Sequence, residues 1–359
     1  MRKCRFFAVA LVVSILAGGV FVGAEAADKV WDRGTPTVYV GFGAGGGTDT
    51  AVRPLVALME KHLGETINVA NMPGAAGALA AEDVQGKPHD GYSLFATGSG
   101  CFGGYTINNT SPNGVPWNWW GFHHIQGPAA LVVNPEKSGI NTVEDAITVL
   151  KEGKANVGVS SLGAGIHAFV EAFAKAAGIE TRINYVTSGG DGQTCVAVMA
   201  GEIEIGSISF SAGVDYARSN SLKVLFLNRR EALELGNGLT IPPITDFGPQ
   251  YASVPDLAET WPVMVPRDTP KPIVDKLQEA FLWACEQPEM KEFAERMGYQ
   301  VISRYGEEAD KVLDYQYAAY AWVVYDAGLA ETDKSPAAFG IPRAEEWDWN
   351  KEKAKYGYQ

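Results

Sequence analysis

Short apolar runs rich in β-branched and aromatic residues alternate along the chain with longer amphipathic runs, and glycine or small polar residues separate them. Residues 38–42 have the composition of a strand, and residues 50–63 have the apolar spacing of a helix. The same order recurs several times, which predicts an α/β fold with mostly parallel sheets flanked by helices. In such sheets the loops after the strands gather at one edge, where ligands bind.

The pattern predicts further elements of both kinds. Other strands are predicted at residues 66–71, 92–96, 130–133, 156–160, 182–186, 202–208, 222–227 and 299–303. Other helices are predicted at residues 75–84, 142–151 with Asn141 as its N-cap, 168–177, 193–200, 272–286, 288–297 and 307–328.

The chain is predicted to leave a first sheet near residue 130 and to return to it near residue 228. This path makes a two-lobed molecule with a cleft between the lobes, the hinge-closing architecture of binding proteins. The predicted division is residues 27–130 with 229–330 for lobe 1, 131–228 for lobe 2, and 331–359 for a C-terminal tail of unexplained purpose.

The loop after the first predicted strand is dominated by glycine, so its backbone can approach a ligand closely. Free N–H groups at the start of the next helix attract anions, which makes a carboxylate or a phosphate the expected ligand. A plain βα turn without a ligand is the alternative. The candidate residues are Gly45, Gly46 and Gly47, Thr48 or Asp49 as the helix cap, and Phe42 as an apolar wall or a core residue.

The spacing of Gly41, Gly43 and Gly46 also satisfies the dinucleotide-binding fingerprint. A dinucleotide-binding unit would carry an Asp or Glu at the end of the second strand, where this chain has Asn71. We keep this interpretation only as the alternative, namely that the chain is a secreted α/β enzyme or a dinucleotide-binding protein that uses residues 41–47.

Three later loops repeat the arrangement of a strand followed by small polar residues. If the loops face one cleft, their hydroxyl and amide groups contact a ligand from both sides. His167 could act as a general base, although a structural histidine near a helix start is the more ordinary interpretation. The candidates in these loops are Ser99, Ser161, Gly163, Ala164, Gly165, His167, Thr187, Gly189 and Asp191.

The N-terminus has a basic segment, an apolar segment and the small residues Ala24-Glu25-Ala26, which predict a secretory signal peptide over residues 1–26. Cleavage near Ala26 releases a periplasmic protein. Loss of this segment changes the formal net charge from −13 to −15, because three basic residues and one acidic residue are removed. Nucleic acid is an unsuitable partner for such an acidic chain.

Cys101, Cys195 and Cys285 remain after cleavage, so at most one intramolecular disulfide can form. Their spacing matches no metal motif, and the adjacent His123 and His124 have no nearby carboxylate or third histidine. The chain also lacks a nucleophile elbow and a phosphate-loop lysine. We therefore expect no metal, no cofactor and no catalytic residues.

Three blocks of sequence resemble the signatures of a known receptor family, the TctC/Bug solute-binding proteins of tripartite tricarboxylate transporters. The resemblance covers about residues 35–330. In the family's loop that corresponds to residues 160–167, a Ser or Thr is common just before the histidine, whereas this chain has Ile166 before His167. The blocks are Phe42-x-Ala44-Gly-Gly-Gly-Thr-Asp49 with Arg53, Asn71-x-Pro73-Gly74-Ala-x-Gly77, and Asp90-Gly-Tyr-Ser-Leu94.

The resemblance implies a two-lobed periplasmic binding protein, similar to type II, that is a receptor and not an enzyme. Its expected ligand is a small organic acid, and its expected partners are the subunits of a membrane permease, which it contacts transiently as a monomer. The identity of the acid stays open, because tricarboxylates, dicarboxylates and aromatic acids would all suit such loops.

Overall fold

The computed structural model describes residues 31–236, 238–254, 258–326 and 328–359. The predicted signal peptide lies outside these residues. Within the described ranges, none of the helices combines the length and the apolar character that crossing a membrane requires.

The described residues form strands and helices in alternation. The strands are β1 (Thr37–Val40), β2 (Asn68–Asn71), β3 (Ser93–Ala96), β4 (Trp119–Gly127), β5 (Ala129–Val133), β6 (Asn156–Val159), β7 (Asn184–Thr187), β8 (Ile205–Ser209), β9 (Lys223–Leu227), β10 (Leu233–Glu234), β11 (Thr240–Ile241), β12 (Glu259–Thr260), β13 (Val263–Pro266) and β14 (Gln300–Arg304). The α-helices are α1 (Gly47–Leu63), α2 (Ala78–Gln85), α3 (Cys101–Ile107), α4 (Pro135–Ser138), α5 (Val143–Lys151), α6 (Gly165–Ala176), α7 (Asp191–Ala200), α8 (Phe210–Arg218), α9 (Lys271–Glu286), α10 (Pro288–Met297), α11 (Gly306–Asp326) and α12 (Trp349–Glu352).

The first sheet has seven strands in the order β12-β4-β13-β3-β1-β2, and β14 pairs with β4. One end of this sheet is parallel, since β1 pairs in parallel with both β2 and β3, while β13 runs antiparallel to β3 and β4. Valine and alanine side chains of these strands are buried beneath α1 and α9. The glycine loop after β1 therefore starts from a strand that is paired on both sides, with β2 and β3.

The second sheet has five strands in the order β7-β6-β8-β5-β9. Strands β6, β7 and β8 are parallel, and β5 runs antiparallel to its two neighbours β8 and β9. The chain passes from one sheet to the other between Gly127 and Ala129, and the last strand of the second sheet ends at Leu227. The predicted α/β class with two sheet-based lobes is confirmed, while the exact lobe limits remain predictions.

Strand β4 was not predicted from the sequence, whose pattern gave no strand between residues 96 and 130. His123 and His124 lie inside this strand and are buried. Their ring nitrogens bond to the Thr260 hydroxyl at 2.8 Å and to the Ala51 carbonyl oxygen at 2.8 Å. Because these partners are far away in sequence, no local pattern predicted the hydrogen bonds.

Two predicted helix caps are wrong. Helix α1 begins at Gly47 with Gly46 as its N-cap, so Thr48 and Asp49 lie inside the first turn and cap nothing. Helix α5 is capped by Thr142, which exchanges hydrogen bonds with Asp145 in a capping box. Helices α3 and α8 were not predicted at all.

Candidate ligand-binding cleft

The two lobes meet through backbone atoms of small residues. A Cβ on Gly100 would lie 2.8 Å from the Cα of Gly165, and one on Gly104 would lie 2.9 Å from the carbonyl oxygen of Gly163. Such approaches are possible only without side chains. The glycine-rich loops therefore serve first to bring the lobes together, with helices α1, α6 and α7 all beginning near the contact.

A cavity of about 540 Å³ lies at this junction. Its volume is within the range typical of small-molecule sites. The first-lobe side contributes apolar groups, the amide of Asn108 and the hydroxyl group of Thr110, the second-lobe side contributes hydroxyl groups, backbone and a histidine, and Glu331 of the tail adds a carboxylate. We call it the outer cavity, and its lining is Gly41, Phe42, Pro73, Gly74, Ala75, Ala76, Cys101, Gly104, Tyr105, Asn108, Thr110, Ser160, Ser161, Leu162, Gly163, His167, Thr187, Gly189, Leu329 and Glu331.

A second cavity, of about 20 Å³, lies deeper between the lobes. This volume is enough for one water-sized group. Phe42 and Ser160 line both cavities, so the two adjoin. We call it the inner cavity, and its lining is Phe42, Gly46, Gly47, Thr48, Ser160, Ala164, Ile166, Gly190, Asp191, Ser209, Glu259 and Trp261.

The structure divides the residues predicted for the site among three places. Those on the outer cavity are Phe42, Ser161, Gly163, His167, Thr187 and Gly189. Those on the inner cavity are Phe42, Gly46, Gly47, Thr48, Ala164 and Asp191. Those that line neither cavity are Gly45, Asp49, Ser99 and Gly165.

Asp49 holds the glycine loop in place. Its Oδ1 accepts hydrogen bonds from Arg53 and Asn71, each at 2.9 Å, and its Oδ2 accepts one from the Gly45 amide at 3.0 Å. Burial acts to raise the pKa of Asp49, but the hydrogen bonds from Arg53, Gly45 and Asn71 bring it below its ordinary value. Asn71, at the position where a dinucleotide site would have an acid, is thus part of this network.

Ser99 joins two strands instead of facing a cavity. Its amide donates to the Thr260 carbonyl oxygen at 2.9 Å, and its hydroxyl oxygen accepts from the Thr260 amide at 3.0 Å. The side chain is completely buried. These bonds hold the loop after β3 against β12.

His167 has one buried ring nitrogen without a hydrogen-bond partner among the described residues. The Gly163 amide donates to its Nδ1 at 2.9 Å, so the neutral ring carries its proton on Nε2. No described residue pairs with Nε2, and the ring packs edge-on against Tyr185 at 4.4 Å. Burial lowers the pKa of His167 to about 4, so the ring is neutral at pH 7 and a poor proton acceptor.

Two buried carboxyl groups face the inner cavity, Asp191 and Glu259. Burial raises the pKa of both, and the negative charge of Asp191 contributes to bringing that of Glu259 to about 8. Glu259 was not predicted from the sequence because it lies in the two-residue strand β12, which has no hydrophobic period to detect. Ser160 and Ser209, at the ends of longer strands, follow the same strand-to-loop pattern that indicates Ser161.

Comparison with known proteins places the chain in a family. The sequence model described as "Tripartite tricarboxylate transporter family receptor" matches residues 51–329. A UPF0065 protein of Cupriavidus necator is 26% identical over 336 residues, covering 89% of this chain and 94% of that protein. A UPF0065 protein of Bordetella pertussis is 23% identical over 299 residues, covering 81% of this chain and 89% of that protein.

Solved structures share the fold. The periplasmic binding protein BugD has a TM-score of 0.73 at 20% identity, covering 84% of this chain and 99% of its own. MatC from Rhodopseudomonas palustris with bound malate has a TM-score of 0.72 at 22% identity, covering 81% of this chain and 98% of its own. R. palustris Rpa4515 with adipate has a TM-score of 0.73 at 22% identity, covering 84% and 99%. Because the family match spans most of the chain, the resemblance seen in its glycine blocks is confirmed, and the protein belongs to the receptors of the tripartite tricarboxylate transporter family.

Proposed function

We propose that the protein works in the periplasm, captures a small organic acid between its lobes and delivers it to the membrane permease of a tripartite tricarboxylate-type transporter. The observation that carries this proposal is the 540 Å³ outer cavity, whose walls come from both sheets. A solute bound there contacts both lobes at once, so it stabilises the closed form over the open one.

Neutral donors hold the acid in this mechanism. The Ser161 and Thr187 hydroxyls, the Asn108 amide and the unpaired Nε2–H of His167 all belong to residues that line the outer cavity. No lysine or arginine is among the described residues of its lining. Hydrogen bonds to a carboxylate are stronger than neutral ones, and closure strengthens them further by excluding water. Phe42 supplies an apolar wall.

Lobe 1 comprises residues 27–130 and 229–330, and lobe 2 comprises residues 131–228, in this proposal. The two crossings lie side by side, because the Asn228 amide donates to the Ala129 carbonyl oxygen at 2.9 Å. Adjacent crossings of this kind suit a hinge, where a few backbone rotations move whole lobes. The receptor acts as a monomer and contacts its permease transiently.

The alternative of a dinucleotide-binding protein or a secreted enzyme at residues 41–47 finds no support. The amides at the start of α1 face a cavity of only about 20 Å³, next to a carboxylate of the protein itself. A pyrophosphate needs both more room and the absence of that charge. The family that the chain belongs to consists of receptors.

Calorimetric titration with monocarboxylic, dicarboxylic and tricarboxylic acids tests the proposal. The malate and adipate in two solved structures of this fold make organic acids the first class to try. We expect at least one acid to bind, and Thr187→Val to weaken it about tenfold by removing one hydroxyl donor of the outer cavity. Thr148→Val, on the exposed face of α5, is the matched control and should bind normally. Chemical turnover of an acid, or binding unaffected by Thr187→Val, would contradict the proposal.

A further inference from the structure

The inner cavity is acidic. Asp191 is 4% exposed and Glu259 is 8% exposed, and both line the cavity. Neither has a salt-bridge partner among the described residues, and the described lining contains no lysine, arginine or histidine. Buried carboxyl groups without a compensating cation are costly, so their presence at a ligand site needs a physical reason.

Asp191 occupies the place where a carboxylate of the solute was expected. Its Oδ2 accepts a hydrogen bond from the Ser209 amide at 3.1 Å, and a Cβ on Gly47 would lie 3.2 Å from the same oxygen. The start of α1, with its partial positive charge, therefore already has an anion beside it. A second anion from a solute would meet this carboxylate at close range.

One of the two carboxyl oxygens of Asp191 has no hydrogen-bond partner among the described residues. No described residue makes a hydrogen bond to Oδ1 of Asp191, although the side chain is more than nine-tenths buried. Oδ2 accepts the amide of Ser209, and the hydroxyl groups of Ser209 and Ser160 and the Gly47 amide also favour the ionised carboxyl group, so a donor that reaches Oδ1 adds to these interactions. A buried carboxylate oxygen can only accept, so the group that satisfies it must donate.

Glu259 completes the other wall. A Cβ on Gly98 would lie 1.9 Å from its Oε1, and one on Gly165 would lie 3.2 Å from it. Glycines at both positions leave room for this carboxyl group at the contact between the lobes. Because β12 belongs to the first sheet and α7 to the second lobe, the two acids approach the cavity from opposite sides.

We propose that Asp191 and Glu259 form a subsite for an ammonium group of the solute, so that this receptor selects a zwitterionic, amino acid-type solute over a dicarboxylate. This inference rests on the proposed receptor function. The carboxylate of the solute lies among the neutral donors of the outer cavity, and its ammonium group enters the inner cavity past Phe42 and Ser160. An ammonium group is about the size of a water molecule, which the 20 Å³ cavity admits, and it only donates.

The raised pKa values agree with this arrangement. Glu259, with a pKa of about 8, holds its proton at neutral pH while the cavity has no cation. A bound ammonium group favours the ionised carboxylates, so its binding releases a proton from the pair. The titratable groups whose pKa values respond to the charge of the pair include Cys101, Tyr105, Cys195 and Tyr299, none of which is cationic.

Calorimetric titration with matched pairs that differ by one ammonium group tests the inference. Suitable pairs are alanine with propionate, γ-aminobutyrate with butyrate, and glutamate with glutarate. In at least one pair, we expect the amino compound to bind at least about tenfold more tightly. Asp191→Asn keeps the shape of the side chain and should abolish this preference. Glu259→Gln should reduce it, and Asp246→Asn, an exposed acid, should leave it unchanged.

Each contrary outcome has its own meaning. Equal or tighter binding of the plain acids in every pair would overturn the ammonium subsite while leaving the receptor function standing. A preference that survives intact in Asp191→Asn would overturn the subsite in the same way. Stabilisation by ammonium chloride alone, equal to that by the amino acids and lost in Asp191→Asn, would assign the subsite to a free cation and overturn its role for the solute. Binding of no acid and no amino acid would contradict the proposed function itself.

Discussion

Glu259 shows most clearly how the cleft changes the chemistry of one residue. Its pKa rises from 4.5 to about 8, because burial and the charge of Asp191 both disfavour ionisation. At pH values between 4.5 and about 8, Glu259 keeps its proton in the folded protein and loses it in the unfolded chain. Stability therefore falls as pH rises through this window, in the opposite sense to a salt-bridged acid.

The ligand-free protein should therefore become less stable as the pH rises. From pH 5 to pH 9 we expect the contribution of Glu259 to the free energy of unfolding to fall by roughly 2 to 5 kcal/mol. Urea unfolding of the wild type and of Glu259→Gln at both pH values isolates that contribution. A pH dependence that is identical in the two proteins would mean that Glu259 titrates normally and that the inner cavity is better solvated than its burial indicates.

Helix α1 and strand β8 approach each other so closely that the first residue of the helix must be a glycine. A Cβ on Gly47 would lie 2.7 Å from the hydroxyl oxygen of Ser209, which belongs to the opposite lobe. The residue begins a helix, where alanine is otherwise favourable. Glycine is needed here for closure and not for the helix.

Gly47→Ala should therefore weaken solute binding by about tenfold or more without lowering the unfolding midpoint, since it obstructs the closed form only. Calorimetric titration and thermal unfolding measure the two effects separately. Ser209→Gly in the same chain removes the obstructing atoms and should restore part of the affinity. Loss of affinity that parallels a loss of stability would show that Gly47 matters for folding instead.

The C-terminal tail has a structural purpose that the sequence did not reveal. It covers helix α11, where Asp314 is 1% exposed and accepts hydrogen bonds from Trp347 at 2.8 Å and from Tyr356 at 3.0 Å. Arg267 binds the neighbouring Asp310 through two nitrogens, at 3.0 and 2.9 Å. The tail therefore satisfies a buried acid on a helix of the first lobe.

Tyr356→Phe should destabilise the protein by about 1 to 3 kcal/mol, because it takes a donor away from a buried carboxylate. Phe339→Ala, at an exposed tail position, is the control and should change little. Urea unfolding compares the two, and solute affinity should be unaltered in both. An equal effect of the two substitutions would mean that the tail contributes only apolar contact.

Features that depend on neighbouring residues were predicted from the sequence, and features that depend on distant contacts were missed. The strand, glycine loop and helix around Gly47 were foreseen because glycine content and apolar period are written into one short stretch. Strand β4 was missed because its histidines are buried, which makes them neutral, and each bonds through one ring nitrogen to a partner on another element. Glu259 was missed because its role depends on the distant glycines that leave it room.

At the scale of the whole molecule, a chain with a formal charge of −13 forms a cleft without lysine or arginine in its described lining. The overall field therefore opposes an anionic solute, and local donors must supply the attraction. A solute with its own positive charge reduces this conflict. The fold accounts for the rest, since two sheets joined by adjacent crossings can close around such a solute and release it.

A crystal structure of the protein with its best-binding acid or amino acid tests the central claim most directly. We expect the solute in the outer cavity, with its carboxylate within hydrogen-bond distance of Ser161 or Thr187 from one lobe and its body against Phe42 from the other. A solute bound outside this cavity, or contacting one lobe alone, would contradict the claim.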